Sequence, residues 1–125
     1  MEHGYNQATS FFVTNATTES IVCTRGFLAN TFKTRLFGLL GRSGLDPGTG
    51  LLIRPSSGVH TFGMSFPIDI VSLDKRNCVI AAFEGIGPGT IRGLGLKTRS
   101  VLELPAGRIR ECGIKPGHEL IFGCD

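Results

Sequence analysis

Short runs of apolar and β-branched residues, separated by turns rich in glycine and proline, make up most of this 125-residue chain. Runs of about four to eight such residues between turn signals are typical of β-strands. The pattern predicts strands at residues 10–14, 20–29, 51–54, 59–64, 68–73, 78–83, 100–104 and 118–122. A charged turn at residues 74–77 joins two of these strands, so Ile68–Phe83 is predicted to form a hairpin.

The apolar period changes to that of a helix in two places. Between Asn30 and Gly41, apolar residues recur at i, i+4, i+7 and i+8, which predicts one apolar helix face. A second short helix is predicted at Pro105–Gly113, because proline is favoured in the first turn and glycine just after the last. Residues 84–96 are glycine-rich and predict a long loop that folds back through its apolar residues, Ile86, Ile91, Leu94 and Leu96.

Together these elements predict a mainly β fold, in which mostly antiparallel short strands and two short helices form a β-barrel-like α+β domain. The polar residues 1–9 are expected to be a frayed or disordered N-terminus. Residues 10–125 are expected to form a single β-rich domain, since single domains commonly contain about 100–150 residues.

Composition and charge narrow the functional classes. Glycine accounts for 18 of 125 residues, about 14%, which is twice its usual share of about 7% and fits many tight turns. The net charge is only +3, the 13 basic residues are scattered, and the chain has no tryptophan and one tyrosine. Nucleic-acid-binding surfaces usually concentrate basic residues, so this distribution argues against such a partner.

Neither a membrane anchor nor a metal centre is predicted. No stretch approaches the roughly 18 apolar residues that span a membrane, and the N-terminal residues lack a signal-peptide pattern, so a cytoplasmic protein is expected. Zinc-ligand spacing is absent because the three histidines are scattered and no two cysteines form a CxxC pair. The sequence therefore predicts no cofactor. The cysteines, expected to be reduced thiols, are Cys23, Cys78, Cys112 and Cys124.

Four blocks of sequence, in order along the chain, carry a resemblance to a known family. They are TRLFGLLGRSGL, the GLLI strand with its loop, HTFGMSFPIDIVSLD and VLELPAGRIRECGIKPGHELIF. On these blocks, which cover about residues 25–122, the chain resembles domain-of-unknown-function family 192, small bacterial and archaeal proteins with no assigned activity. The resemblance implies a small β-rich barrel with short helices, and it implies no reaction.

One position departs from the pattern that the resemblance implies. The family usually has an aromatic residue, commonly tryptophan, immediately before the equivalent of Met64, whereas this sequence has Gly63. The space that such a side chain covers is therefore expected to be either open or filled by Phe62 or Phe66.

Asp69 is the most unusual polar residue, because it lies between two isoleucines in an apolar strand. A buried carboxylate is costly unless it is paired or hydrogen-bonded. One interpretation is structural, with Asp69 accepting hydrogen bonds from backbone N–H groups or from an arginine of residues 35–42. The other is functional, with Asp69 as a polar anchor that holds Arg42 toward a ligand.

His60 is the candidate acid–base group. A general base needs a nucleophile or water that a third group positions, and the sequence has no GxSxG elbow and no cysteine beside His60.

The chain is therefore interpreted as a non-catalytic binding module for a small polar ligand or a protein partner, acting as a monomer or weak homodimer. The alternative is a small hydrolase or lyase that uses His60 and Asp69. The candidate ligand-binding residues are Arg42, Arg54, His60, Thr61, Met64 and Asp69.

Overall fold

The computed structural model of the chain describes residues 6–28, 45–60, 66–89 and 91–124. Its strands are β1 (Asn6–Asn15), β2 (Ser20–Leu28), β3 (Thr49–Ile53), β4 (Gly58–His60), β5 (Ile68–Leu73), β6 (Val79–Ile86), β7 (Ile91–Gly93), β8 (Ser100–Pro105) and β9 (Leu120–Gly123). One short helix, α1 (Arg108–Cys112), lies between β8 and β9. The protein is mainly β, as the sequence predicts.

Seven of the strands form one curled sheet in the order β6-β5-β8-β3-β2-β1-β9. All neighbours are antiparallel except β2 and β3, which are parallel. The two edge strands meet at one end, where Val79 N–H donates to the carbonyl of His118 at 2.8 Å and Leu120 N–H donates to that of Asn77 at 3.0 Å. We call this contact the seam. The sheet is thus a half-barrel whose edges join at one end.

The large sheet has two apolar faces because side chains alternate along each strand. The inner face lies inside the curl and is covered by Ile109 of α1 and by Ile114. Its core is Val13, Val22, Cys23, Leu52, Val71, Leu73, Val79, Leu102, Leu104, Ile109, Ile114 and Leu120. The outer face has a separate core of Phe27, Leu51, Phe66, Ile68, Ile70, Leu94 and Val101.

A two-stranded ribbon, β4 paired with β7, is connected to the outer face through the residue that follows it. Leu94, which follows β7, belongs to the outer core, and its N–H donates to the carbonyl of Ser57 at 2.8 Å. The ribbon is tied to the start of β8 because Ser56 N–H donates to the carbonyl of Arg99 at 2.9 Å. Leu94, the residue directly after the ribbon, therefore packs on the outer face with residues of β3, β5 and β8.

Two adjacent phenylalanines of β1 each cover a glycine of a neighbouring strand. A methyl group added at Gly26 of β2 would overlap the ring of Phe11, and one added at Gly123 of β9 would overlap the ring of Phe12. Phe11 also packs edge-on against Phe122, with ring centroids 5.4 Å apart. Packing of aromatic rings over strand glycines helps to fix register, which β1 needs because its pairing with β2 is interrupted by irregularities.

The structure confirms the predicted hairpin at Ile68–Phe83 and corrects several boundaries. β1 begins at Asn6 and not at residue 10, and the predicted loop at 84–96 contains the end of β6 and all of β7. Leu96 does not fold back, since its side chain is fully exposed. Pro105 ends β8, where it contributes to the sheet, so the helix starts at Arg108.

Other predictions fall partly or wholly beyond the structure's coverage. The helix predicted at residues 30–41 lies outside the described residues, as do the first five residues of the expected frayed N-terminus. Of the strand predicted at residues 59–64, β4 contains the first two, and residues 61–65 lie outside the described part.

Candidate functional site

Asp69 is completely buried on the inner face of the sheet, where β5 pairs with β6 and β8. Its Oδ1 accepts a hydrogen bond from Gly85 N–H at 2.8 Å. Its Oδ2 accepts from Gly107 N–H at 3.1 Å and from Ile109 N–H at 2.9 Å. Both oxygens are therefore engaged by backbone groups, as expected for a buried polar side chain. These contacts support the structural interpretation of Asp69.

The hydrogen bonds of Asp69 hold α1 against the end of the half-barrel. The amides of Gly107 and Ile109 belong to the start of α1, where N–H groups have no partner within the helix. Arg108 continues the attachment, because its Nε donates to the carbonyl of Val22 at 2.9 Å and its Nη2 to that of Ile21 at 2.8 Å. Asp69 and Arg108 thus join β5, β6, α1 and β2.

Glu103 is a second fully buried carboxylate that sequence reasoning missed. It lies in β8, where its register partners are Leu51 of β3 and Ile70 of β5. Strand alternation places Glu103 on the side of Val101, in the outer face, and opposite to Leu102 and Leu104 of the inner face. The signal was present in the sequence: Glu103 lies between two leucines, just as Asp69 lies between two isoleucines.

The predicted site residues that the structure describes, Arg54, His60 and Asp69, lie on different elements. His60 ends β4 and pairs in register with Ile91, so it belongs to the ribbon, whereas Asp69 lies on the inner face of the sheet. Arg54 is exposed and its Nη2 donates to Asn77 Oδ1 at 3.3 Å. The remaining candidates lie outside the described residues: Arg42, Thr61 and Met64.

The four cysteines are free thiols that differ in burial. Burial raises the pKa of Cys23 to about 12, despite a hydrogen bond from the backbone of Val13. Burial also raises the pKa of Cys112, whose Sγ donates to the carbonyl of Arg108 at 2.9 Å. Cys124 is exposed beyond β9. Because the thiolate is the nucleophilic form, neither Cys23 nor Cys112 is suited to nucleophilic catalysis.

No group of three or more His, Cys, Asp or Glu side chains in the described ranges is arranged to hold a metal ion. In the same ranges, no helix is long and apolar enough to cross a membrane.

Comparison with known proteins identifies the family. The profile of the uncharacterised family DUF192 matches residues 13–122. The chain belongs to DUF192. No curated protein gives a significant match. The family assignment agrees with the four sequence blocks described above, and it supplies no activity for the residues that the fold places on either face.

Two solved structures share the fold. One is a protein of Sinorhizobium meliloti described as a proposed transcription regulator, with a TM-score of 0.72 and 20% identity over 90% of this chain and 92% of that one. The other is a protein of unknown function from Novosphingobium aromaticivorans, with a TM-score of 0.68 and 24% identity over 90% of this chain and 83% of that one. At these identities the likeness concerns the half-barrel fold alone.

Proposed function

We propose that this member of DUF192 is a non-catalytic binding module whose ligand, a small polar molecule, binds at the outer face beside the ribbon. The observation that carries the proposal is the complete burial of Glu103. Its carboxyl group is fully buried between Leu51 and Ile70 in a mostly apolar face, which is a rare place for a glutamate.

The surroundings of Glu103 support a ligand site more than the surroundings of Asp69 do. Small-molecule sites are mostly apolar and contain a few placed polar groups, which fits Glu103 among the residues of the outer core. His60 lies in the ribbon, which leads into Leu94 of the outer core, and Arg42, Thr61 and Met64 are proposed as further contacts. Asp69 is a support for α1, so the proposal assigns it no ligand.

The alternative of a small hydrolase or lyase requires His60 and Asp69 to act at one point. The three backbone hydrogen bonds of Asp69 occupy both of its oxygens, and they do not favour that alternative. We also propose a cytoplasmic protein that acts as a monomer or weak homodimer, and the four free thiols support a reducing compartment.

A thermal-shift screen against a library of polar metabolites tests the proposal. A ligand that binds only the folded protein raises the melting temperature, and a concentration of about 100 times Kd stabilises it by about 2.7 kcal/mol. We expect Glu103→Gln to fold, as judged by circular dichroism, and to lose the shift. Arg42→Ala tests the proposed anchor in the same assay.

The matched control is Glu84→Gln, which removes an exposed carboxylate whose Oε1 accepts from Arg110 Nε at 3.3 Å. This variant is expected to keep the full ligand response. A screen without hits at millimolar concentrations contradicts a small-molecule ligand and favours a protein partner. A ligand response that Glu103→Gln leaves intact moves the site away from the outer face.

A further inference from the structure

A hydrogen-bond network around His118 joins the β1–β2 turn to the segment between α1 and β9, next to the seam. Asn15, at the end of β1, is completely buried, and its Nδ2 lies 3.0 Å from Nδ1 of His118. The same Nδ1 lies 3.2 Å from the backbone nitrogen of Lys115, in the segment between α1 and β9. On its other side, Asn15 Oδ1 lies 3.0 Å from Thr17 N and 3.2 Å from Thr18 N in the β1–β2 turn.

The hydrogen-bond partners of the His118 ring determine which of its nitrogens carries the proton. A backbone N–H only donates, so Asn15 Oδ1 accepts from Thr17 and Thr18, and the other amide atom of Asn15 must be its NH₂ group. The Lys115 N–H likewise only donates, so His118 Nδ1 is an acceptor. With two donors directed at it, Nδ1 carries no proton, and the neutral ring carries its proton on Nε2.

We infer that His118 is a pH-sensitive latch, which holds the seam while Nδ1 is unprotonated and releases it when the ring becomes charged. A proton on Nδ1 turns this atom into a donor that faces two donors, so both hydrogen bonds are lost. The carbonyl of His118 accepts from Val79 N–H at 2.8 Å, so a displaced His118 also loosens the contact between β6 and β9. The latch therefore couples pH to closure of the half-barrel.

The segments that meet at the seam carry several charged residues. They are Glu19 of the β1–β2 turn, Lys115 and Glu119 near His118 in the sequence, and Asp74, Lys75 and Arg76 of the β5–β6 turn. The hydrogen bond from Cys78 N–H holds the pKa of Asp74 below its ordinary value of 3.8. Cys78, a half-buried thiol, also lies at the seam.

Melting temperatures at about pH 7.5 and about pH 5.5 test the latch in the full chain. We expect the wild type to lose at least about 4 °C on acidification, because two hydrogen bonds are broken. His118→Asn places a non-titrating oxygen near the position of Nδ1, so it is expected to lose less than half as much. His60→Asn is the matched control and is expected to keep the wild-type loss.

A second measurement needs no variant and reads the protonation directly. Long-range proton–nitrogen correlation spectra of the wild type at neutral pH are expected to show His118 with a proton on Nε2 and none on Nδ1. A proton on Nδ1 at neutral pH overturns the inference. An equal loss of melting temperature in the wild type and in His118→Asn also overturns it.

Discussion

Two buried carboxylates, one on each face of the same sheet, show how differently a fold can use one chemical group. Asp69 lies on the inner face, and its oxygens accept three hydrogen bonds from the backbone of β6 and from the start of α1. Glu103 lies on the outer face, with Leu51 and Ile70 as its register partners. The two positions are 34 residues apart in sequence, and they lie on adjacent, paired strands.

The comparison teaches that burial alone does not identify a functional acid. Both side chains are fully buried, so what distinguishes them is the origin of the groups around them. Asp69 is surrounded by backbone N–H groups that the fold must satisfy in any case, and a carboxylate is an efficient acceptor for several of them. Glu103 stands in the outer face, which is formed mainly by apolar side chains and also contains the buried Ser72.

The largest effect is expected from Asp69→Ala. This substitution leaves three backbone N–H groups without their acceptor and detaches the start of α1, at a cost of about 1–3 kcal/mol for each buried group that stays unsatisfied. We expect the free energy of unfolding, measured by urea denaturation, to fall by about 3–5 kcal/mol. Asp69→Asn keeps one acceptor oxygen, so its free energy of unfolding is expected to lie between those of the wild type and of Asp69→Ala. A loss below about 1 kcal/mol for Asp69→Ala would contradict the structural role.

A smaller effect is expected where the cover of the outer face is weakened. Leu94 is 8% exposed and belongs to the outer core, whereas Leu96 is 100% exposed two residues later. Leu94→Ala is expected to lower the free energy of unfolding by about 2 kcal/mol, the lower end for a buried leucine. Leu96→Ala, the matched control, is expected to change it by less than about 0.5 kcal/mol. Equal effects of the two substitutions would show that the ribbon does not seal this face.

The smallest expected effect concerns solvent access to the inner face, which the labelling rates of the thiols measure. Because burial raises the pKa of Cys23 to about 12, we expect a maleimide at about pH 8 to label this residue only when the half-barrel opens. Exposed Cys124 is expected to react at once, and Cys124→Ser removes that fast phase. Mass spectrometry of the labelled peptides reads both rates. Rapid labelling of Cys23 in the native protein would mean that the inner face is open to solvent.

Local patterns in the sequence predicted the parts of this fold that depend on near neighbours. The hairpin of β5 and β6 follows from two apolar runs around one charged turn, and Gly113 ends α1 in a left-handed conformation, with φ of 66°, at the predicted place. The small strand β7 was missed because it has only three residues, in a glycine-rich segment, and because its partner β4 is distant in sequence. Pairing over such a distance leaves no periodic signal.

The partners of the candidate site residues were harder to predict than the fold, because they are distant in sequence. Asp69 was recognised as unusual, but its partners lie 16, 38 and 40 residues away in sequence, so no local pattern could name them. Glu103 has the same apolar neighbours in sequence and was passed over. His60 and Asp69 looked like a pair because both stand in one stretch, yet β5 directs Asp69 to the inner face while His60 belongs to the ribbon.

The sequence by itself determined that the chain forms short, mostly antiparallel strands, where the best hairpin lies and which family it resembles. These properties arise from residues within a few positions of one another, whose alternation and turn signals do not depend on the rest of the chain. Only the tertiary structure decided which face each acid occupies, which amides Asp69 satisfies and how the sheet closes at the seam. Such contacts exist only when distant segments meet, because the curvature of the sheet brings the start of β6 to the start of β9.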